Sequence, residues 1–444
     1  MISQIKELLE TKNYKKLKED LRTINEVDLA EIIEELDKEE AIKVFSIIDK
    51  DKAADVFSNL PVETEAELIT ILTDKEAVGL LNKMYADDAA DLVEEMPANV
   101  VTRLLKKCPQ DTRNDINKLL NYPEFSAGSI MTVEFAELKE NLSIEKAIGK
   151  LRKEKEEYET VNTCYVVNAQ RKLLGKVHLE DIVFADSNSI IKDIYSSNII
   201  SVKTTDDQEE VANLFKKYDL TVMPVVDSEE RLVGIITIDD VIDVLEEETT
   251  EDIEKMAGIT PTSKSYLKTG VFETWKKRIP WLLLMMLSAT FTGKIIEHYE
   301  SALAGYIILT SFIPMLMGTG GNAGSQSSVT VIRGISLGEI EFSDFLKVIW
   351  KELKVSILCG LTLAIINFLR LILMDKLEVL VSAVVCLTLF VTVLLSKLIG
   401  GVLPLIAKKL GFDPAVMASP FITTIVDALS LLTYFKIASV LLNL

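Results

Sequence analysis

The sequence predicts a multidomain membrane protein: an all-α superhelical N-terminal domain, an α+β tandem pair, a connecting helix and a five-helix α transmembrane domain. Three observations carry that prediction. Charge is unevenly partitioned along the chain, two internal repeats of different period occupy the first part, and five long apolar segments occupy the last.

Residues 1–271 hold 34 Lys+Arg against 57 Asp+Glu, and residues 272–444 hold 14 against 11, so the net charge of −20 divides into −23 and +3. The acidity belongs to the first part. Such a balance disfavours nucleic acid as a partner and suits either a solvated acidic surface or bound cations. Met1-Ile2-Ser3-Gln4-Ile5-Lys6 leads into a charged helical pattern rather than a short apolar run, so no cleavable secretory signal is expected and the first part should stay in the cytoplasm. The cysteines at 108, 164, 359 and 386 lack metal-type spacing, and His178 and His298 are the only histidines, which argues against disulfides and a zinc site. No nucleophile–base pair or P-loop is present, so an enzyme is not expected.

The first element rests on a repeat at an offset of 36: Glu40-Ala41 matches Glu76-Ala77, Ala53-Ala54-Asp55 matches Ala89-Ala90-Asp91, and Pro61 matches Pro97. Periods of this size mark stacked helical pairs, so residues 1–126 should be all-helical. Its acids Asp87, Asp88 and Asp91 are either a solvated face or a cation site.

The second element rests on a repeat at an offset of 59, in which YVVNAQRKLLGKVHLEDIV from Tyr165 matches PVVDSEERLVGIITIDDVI from Pro224. Each copy reads as strand, charged turn, strand with Gly175 or Gly234, then the start of a helix, a βαββα unit. This resembles a pair of cystathionine-β-synthase (CBS) domains, residues 127–192 and 193–249. In nucleotide-binding pairs of that kind, positions matching Thr237 and Asp240 contact a ribose. The first copy has His178 where the second has Thr237, leaving Asp181, so ATP binding stays open.

The third element is the acidic join from Asp239 to Gly258, which brings Glu247, Glu248, Glu251 and Asp252 close together on one helix. Like charges at this spacing repel. Either the face is merely solvated, or a divalent ion with oxygen ligands bridges it to a second cluster, Asp206, Asp207, Glu209 and Glu210.

The membrane element rests on apolar segments at about 279–296, 302–318, 355–374, 379–406 and 420–442, near the ~20 residues that cross ~30 Å of hydrocarbon. Basic clusters recur on alternate sides, which places the N-terminus inside and the C-terminus outside. The second segment contains Pro314 and ends in MGTGGNAGSQSS, read either as a helix–helix contact or as a Gly-rich turn. The fifth carries Ser419, Thr423, Asp427 and Ser430, spaced as a single polar stripe. A carboxylate at mid-bilayer costs roughly 2.5–3.5 kcal/mol on insertion scales. Asp427 therefore lines a cation path, or hydrogen-bonds a neighbouring helix.

Pro314 to Ser327, reading P-x-L-x-G-T-G-G-N-A-G-x-Q-S, and Asp413 to Asp427, reading D-P-A-x-x-x-x-P-F-x-T-T-x-x-D, complete a pattern over essentially the whole chain. It resembles the MgtE-type magnesium channels. The resemblance implies a homodimer in the cell membrane, with a connecting "plug" helix at 250–272 and a transmembrane domain at 273–444. It implies a pore lined by the second and fifth helices: Asp427 with Thr423 and Ser419, and Gly318, Gly320, Gly321 and Asn322. It further implies closure by cytosolic magnesium at Asp207, Glu209, Asp219, Asp240, Asp243, Glu248, Glu251 and Asp252, and Asp91 is a further candidate ligand. Manganese, cobalt and calcium are alternative ions. Two other classes compete: a proton- or sodium-coupled carrier using Asp427 as its protonatable group, and a non-conducting sensor anchored in lipid.

Overall fold

A computed structural model describes residues 2–262, 266–267, 269–299, 306–417 and 419–442. Its contacts divide the chain into two units, Met1–Leu245 and Glu246–Leu444.

The first unit opens with a run of short helices from α1 (Ile2–Glu10) to α10 (Gln110–Leu119). The 36-residue repeat encodes their ends. Asp37 and Glu40 form a capping box at Lys38–Ile47, and Thr73 and Glu76 form the same box one repeat later at Asp74–Leu81. Each box satisfies N–H groups that a helix start leaves orphaned. Pro61 and Pro97 likewise precede equivalent helices, Val62–Ile71 and Ala98–Leu105. One continuous core from Ile5 to Ile116, with Leu29, Val44, Phe57, Ile69, Leu81 and Leu92 fully buried, joins the stack.

Two βαββα repeats follow. The first comprises β1 (Phe135–Lys139), α11 (Ile144–Lys153), β2 (Thr160–Val167), β3 (Leu173–His178) and α12 (Leu179–Phe184). The second comprises β4 (Val202–Lys203), α13 (Gln208–Tyr218), β5 (Val222–Val226), β6 (Leu232–Thr237) and α14 (Ile238–Met256). In both sheets the first strand pairs parallel with the second, and the second antiparallel with the third. The repeated glycine has one job in both copies: a Cβ on Gly175 would lie 2.2 Å from the Ser196 carbonyl oxygen, and one on Gly234 would lie 2.7 Å from that of Thr132. A crossing backbone occupies the space a side chain would need. Phe135, Tyr165, Val167, Leu232 and Ile235 knit the two sheets together. Ala86 and Ala90 of α8 (Ala86–Glu95) share a second core with Phe215, Ile236, Val241 and Val244, so the helical stack is packed onto the second repeat.

Among the described residues of 250–272, which exclude 263–265 and 268, the expected separate connecting helix is not seen. The acidic join continues the last helix of the second repeat as one element, α14, which ends at Met256; Gly258 follows in the left-handed region at φ +71°. Glycine reaches that region without strain and reverses the chain.

The second unit contains α15 (Val271–His298), α16 (Ile313–Ser336), α17 (Phe345–Leu373), α18 (Val379–Lys409) and α19 (Ser419–Leu442). Four of them, all except α16, are long and apolar enough to cross a bilayer. The expected second span differs. Residues 302–305 of that segment lie outside the described residues, Ile307–Phe312 is a 3-10 turn, and the helix begins at Ile313 and carries the whole Gly-rich motif in its middle rather than as a turn. Its composition follows from its surroundings: Leu316, Gly320, Ala323, Gly324, Ser327, Ser328 and Val331 are buried by neighbouring helices. A helix that faces protein rather than lipid gains from small residues instead of apolar bulk. The tightest point is Gly400 of α18, where a Cβ would sit 2.1 Å from the Gly324 carbonyl oxygen of α16.

Gly400→Val should therefore force α16 and α18 apart and lower the melting midpoint of the detergent-solubilised protein, overpacking in a filled interior costing about 1–3 kcal/mol or more. Gly318→Ala, with nothing within 4 Å of the added carbon, should leave the midpoint unchanged.

Candidate functional site: an intramembrane carboxylate, its helix contacts and an acidic cluster

Asp427 lies midway along α19 and is half-buried, and among the described residues it has no ion pair. Thr423, one turn earlier, donates its hydroxyl to the Pro420 carbonyl at 3.0 Å, so its remaining lone pairs can still accept. The side chain of Ser419 lies outside the described residues. The stripe divides at its far end: Ser430 is 2 % exposed and turns toward Gly320 rather than sharing the setting of Asp427. The glycine motif divides as well. Gly318 and Asn322 are exposed along α16, whereas Gly320 and Gly321 are buried against Val426 and Thr423 of α19. Both, expected as pore-lining positions, pack here against neighbouring helices of the same chain.

The end of α14 meets the membrane helices. Lys255 donates to Asp413 Oδ2 at 2.6 Å, just before α19, and also pairs with Glu251 one turn back. Ser336 at the end of α16 donates to Asp252 Oδ2 at 3.3 Å, and Met256 packs on Ile332 and Ala415. Burial, with Asp413 adding like charge, holds the Asp252 carboxyl above the ordinary carboxylate range. Lys255 and Asp413 were not among the candidates read from sequence. The signal was present in the Asp-Pro-Ala of the family pattern, whose Asp also accepts from the Ala415 N–H at 2.8 Å.

In the first unit the structure gathers carboxylates that the sequence left apart. Glu159, Asp239 and Asp240 bring oxygen atoms within 4.8 Å of one another. Asp87 and Asp88, from the start of α8, and Glu134 add their charge to the same place. Asp87 is 7 % exposed, and its Oδ1 and the Glu159 Oε2 are buried without a hydrogen-bond partner. Among the described residues, none of these six carboxylates forms an ion pair. Burial and mutual repulsion push Asp240 up to about 6 and Glu159 up to about 8, burial pushes Asp88 up to about 6, and Asp87 is raised well above the ordinary value. Glu65, 3 % exposed in the helical stack, is pushed up to about 9 by burial and by Asp88 and Asp91. Hard oxygen ligands at this density suit magnesium or calcium. Asp87, Asp88 and Asp91 of α8 were all candidates from sequence, with Asp91 singled out as a ligand; Asp87 is the buried member and Asp91 is exposed.

The remaining candidates take other positions. Asp207 caps α13 by accepting from the Glu209 N–H at 2.8 Å, and Asp219 terminates the same helix at φ +52°. Asp181 and Asp243 are exposed. Thr237 donates its hydroxyl to Asp240 Oδ2 at 2.6 Å, so the two expected ribose contacts are engaged with each other beside the acidic cluster. Glu248, Glu251 and Asp252 belong to the second unit and Asp207, Glu209 and Asp219 to the first. Sequence reasoning also passed over two buried charges among the membrane helices. Glu352 accepts from the Ser327 hydroxyl at 2.5 Å, and Lys397, 5 % exposed, reaches Gln326 Oε1 at 3.5 Å. Lys397 interrupts a long apolar run, which is itself the mark of a functional or paired group.

Comparison with known proteins agrees with this layout. Residues 313–437 match the MgtE divalent cation transporter family, 24–125 the MgtE intracellular N domain, and 127–188 and 191–247 the CBS domain. The magnesium transporter MgtE of Thermus thermophilus is 37% identical over 332 residues, covering 75% of this chain and 73% of that protein. The magnesium transporter MgtE of Bacillus subtilis is 35% identical over 332 residues, covering 74% and 72%. Among solved structures, the soluble part of a magnesium transporter aligns at TM-score 0.53 and 28% identity, over 56% of this chain and 97% of that one. The cytosolic domain of the Mg2+ channel MgtE in complex with ATP aligns at TM-score 0.53 and 35% identity, over 55% and 100%. These relatives are transporters and not enzymes, and the chain belongs to the MgtE family of magnesium transporters.

Proposed function

We propose that the chain is a homodimeric magnesium channel of the cell membrane, with its N-terminus in the cytoplasm, its C-terminus outside and five membrane helices per protomer. The observation that carries this reading is Asp427, a half-buried carboxylate in the middle of an apolar helix, without an ion pair among the described residues. One such carboxylate from each protomer would hold a largely hydrated ion through its water shell. Magnesium gives up water reluctantly and prefers octahedral oxygen ligation, so this attraction avoids full dehydration. Conduction needs that balance between entry and release. Exposed Gly318 and Asn322 supply the facing surface, with Thr423 beside the acid.

Gating follows from the acids of α14. On our reading, cytosolic magnesium binds at Asp87, Glu159, Asp239 and Asp240, at Asp207, Glu209, Asp219 and Asp243, and at Glu248, Glu251 and Asp252, and favours the closed state. Contact of Lys255 with Asp413 and of Asp252 with Ser336 then transmits the state of α14 to the ends of α16 and α19. An ion that binds the closed state better shifts the population toward it.

ATP is bound by the cytosolic domain of the aligned MgtE channel, and we place a nucleotide here at the first CBS copy, near the exposed Asp181. The equivalent surface of the second copy suits a cation better, because Asp240 stands among carboxylates that would repel a polyphosphate.

In vesicles containing the full chain, Asp427→Ala should abolish magnesium flux while leaving the melting midpoint intact; parent-level flux would remove the pore assignment. Currents that reverse with the proton rather than the magnesium gradient would instead support a coupled carrier. In the same vesicles, Lys255→Met should raise the internal magnesium needed for half-inhibition roughly fivefold, the equivalent of losing about 1 kcal/mol of coupling. Lys255→Arg should restore it, and equal inhibition in all three proteins would count against the contact as a transmitter.

The acidic cluster makes a pH prediction with a definite sign. Its carboxyls have folded values above their unfolded ones, so their contribution to stability is complete below pH ~4 and is lost as pH rises through about 6 to 8. Without divalent ions the melting midpoint of the full chain should fall over that window, and millimolar magnesium should restore it. Asp87→Asn together with Glu159→Gln should raise the metal-free midpoint at pH 8 and remove the magnesium response. That double variant should still bind ATP in a nucleotide titration, whereas Asp181→Ala should not.

A further inference from the structure

Helix α17 enters the membrane region through a basic and aromatic face. Leu346, Lys347, Trp350, Lys351, Lys354 and Val355 line an open groove of about 510 Å³ along its first turns. All six are exposed. Lys347 is held by Asp344 at 2.7 Å, while Lys351 and Lys354 have no carboxylate partner among the described residues. The Lys354 ammonium stands 6.0 Å from the centre of the Trp350 ring. Three lysines at positions i, i+4 and i+7 therefore share one side of the helix with an exposed indole.

The same face continues without a break. Val355, Leu358, Leu361, Ile365, Leu369 and Leu373 are exposed in succession, and the part of this track from Val355 to Ile365, about 15 Å long, matches one leaflet's half of the ~30 Å hydrocarbon core. The track ends in the lysines. A lysine stem lies well along apolar surface while its ammonium reaches the headgroup level, and Trp prefers that same depth.

We propose that this groove is a binding site for a single anionic phospholipid, its phosphate and headgroup held by Lys351 and Lys354 beside Trp350 and its acyl chain lying on the Val355–Ile365 part of the track. Charge complementarity favours this occupant over a second copy of the chain, which would bring three further lysines against these three. Continuity with the apolar track favours a lipid over a free anion. The leaflet is the one at which α14 meets α16 and α19, because the start of α17 and the end of α18 lie together there, Lys409 standing 4.0 Å over the Phe342 ring just ahead of α17. The site is distinct from the pore assignment and does not depend on it.

Native mass spectrometry of the full chain, released from vesicles of mixed phosphatidylcholine and phosphatidylglycerol, tests the proposal. The parent protein should retain phosphatidylglycerol in preference to phosphatidylcholine. Lys351→Gln with Lys354→Gln should reduce that preference by roughly fivefold for each lysine, the change expected when one basic residue near an anionic headgroup is lost. Trp350→Ala should reduce retention of both lipids. The control is Lys276→Gln with Arg278→Gln, which removes an equally basic pair at the start of α15 and should leave the preference intact. An equal loss in the control would show diffuse attraction to the interface and overturn the site. Displacement of the lipid by millimolar inorganic phosphate, or a change of subunit stoichiometry in place of lipid loss, would overturn it in favour of a free anion or a second copy. Circular dichroism and melting midpoints of both double variants guard against misfolding, since all four side chains are at least partly exposed.

Discussion

The constraint on which the rest of this protein depends is negative charge held where water is scarce and no basic residue compensates it. Asp87 and Glu159 bury carboxylate oxygens without partners, next to Asp88, Asp239 and Asp240. A buried ionised carboxylate without a counter-charge either takes up a proton or demands a cation. Raised carboxyls at about 6 to 8 are the proton-bound answer, and a divalent ion is the other. The two compete for the same oxygens, so a site of this kind reads the concentration of free cation at a pH near neutrality. Asp427 poses the same problem inside an apolar helix, where the hydrated ion proposed above would answer it without a protein counter-charge.

Such groups are tolerated only if the surrounding structure cannot collapse away from them. In the second unit that rigidity comes from glycine. Contacts of Gly324 with Gly400, and of Gly320 and Gly321 with α19, leave no room for adjustment, so α16, α18 and α19 form one packed block. Ser327 and Glu352 tie α17 into it through a buried hydrogen bond. In the first unit the repeated capping boxes and the paired glycines Gly175 and Gly234 do the equivalent work.

Much of this was legible in the sequence, and the reasons for the gaps are physical. Repeats at 36 and 59 residues reported the helical stack and the two βαββα units, because each repeat must reproduce the same caps and the same close crossings. The Gly-rich stretch was ambiguous between a turn and a helix, since small residues satisfy both; only the neighbours of α16 decide it. Gly320 and Gly321 looked like lining and are packing for the same reason. Asp87 was hidden because nothing local separates it from Asp88 or Asp91. Its burial comes from the second βαββα repeat, far away in the chain, whose Val241 and Val244 share a core with Ala86 and Ala90. Asp413 and Lys255 are 158 positions apart, so the Asp-Pro-Ala pattern marks Asp413 but does not name its partner.

Helix α14 joins the acidic cluster to the membrane helices in sequence. One continuous element carries Asp239 and Asp240, which belong to the buried acidic cluster, and Asp252 and Lys255, which touch the ends of membrane helices. A helix transmits a displacement along its axis better than a loop would, since its hydrogen bonds resist bending. The acids between these two ends repel one another at helical spacing, so the helix is under electrostatic load whenever cations are scarce. Reversing a population from 1:99 to 99:1 needs about 5.5 kcal/mol of differential binding. A single weak magnesium site does not supply that, but several sites on one rigid element add their preferences. Under the gating proposed above, spreading the acids along α14 rather than gathering them in one tight site would let each site empty when magnesium falls while their preferences add to favour the closed state.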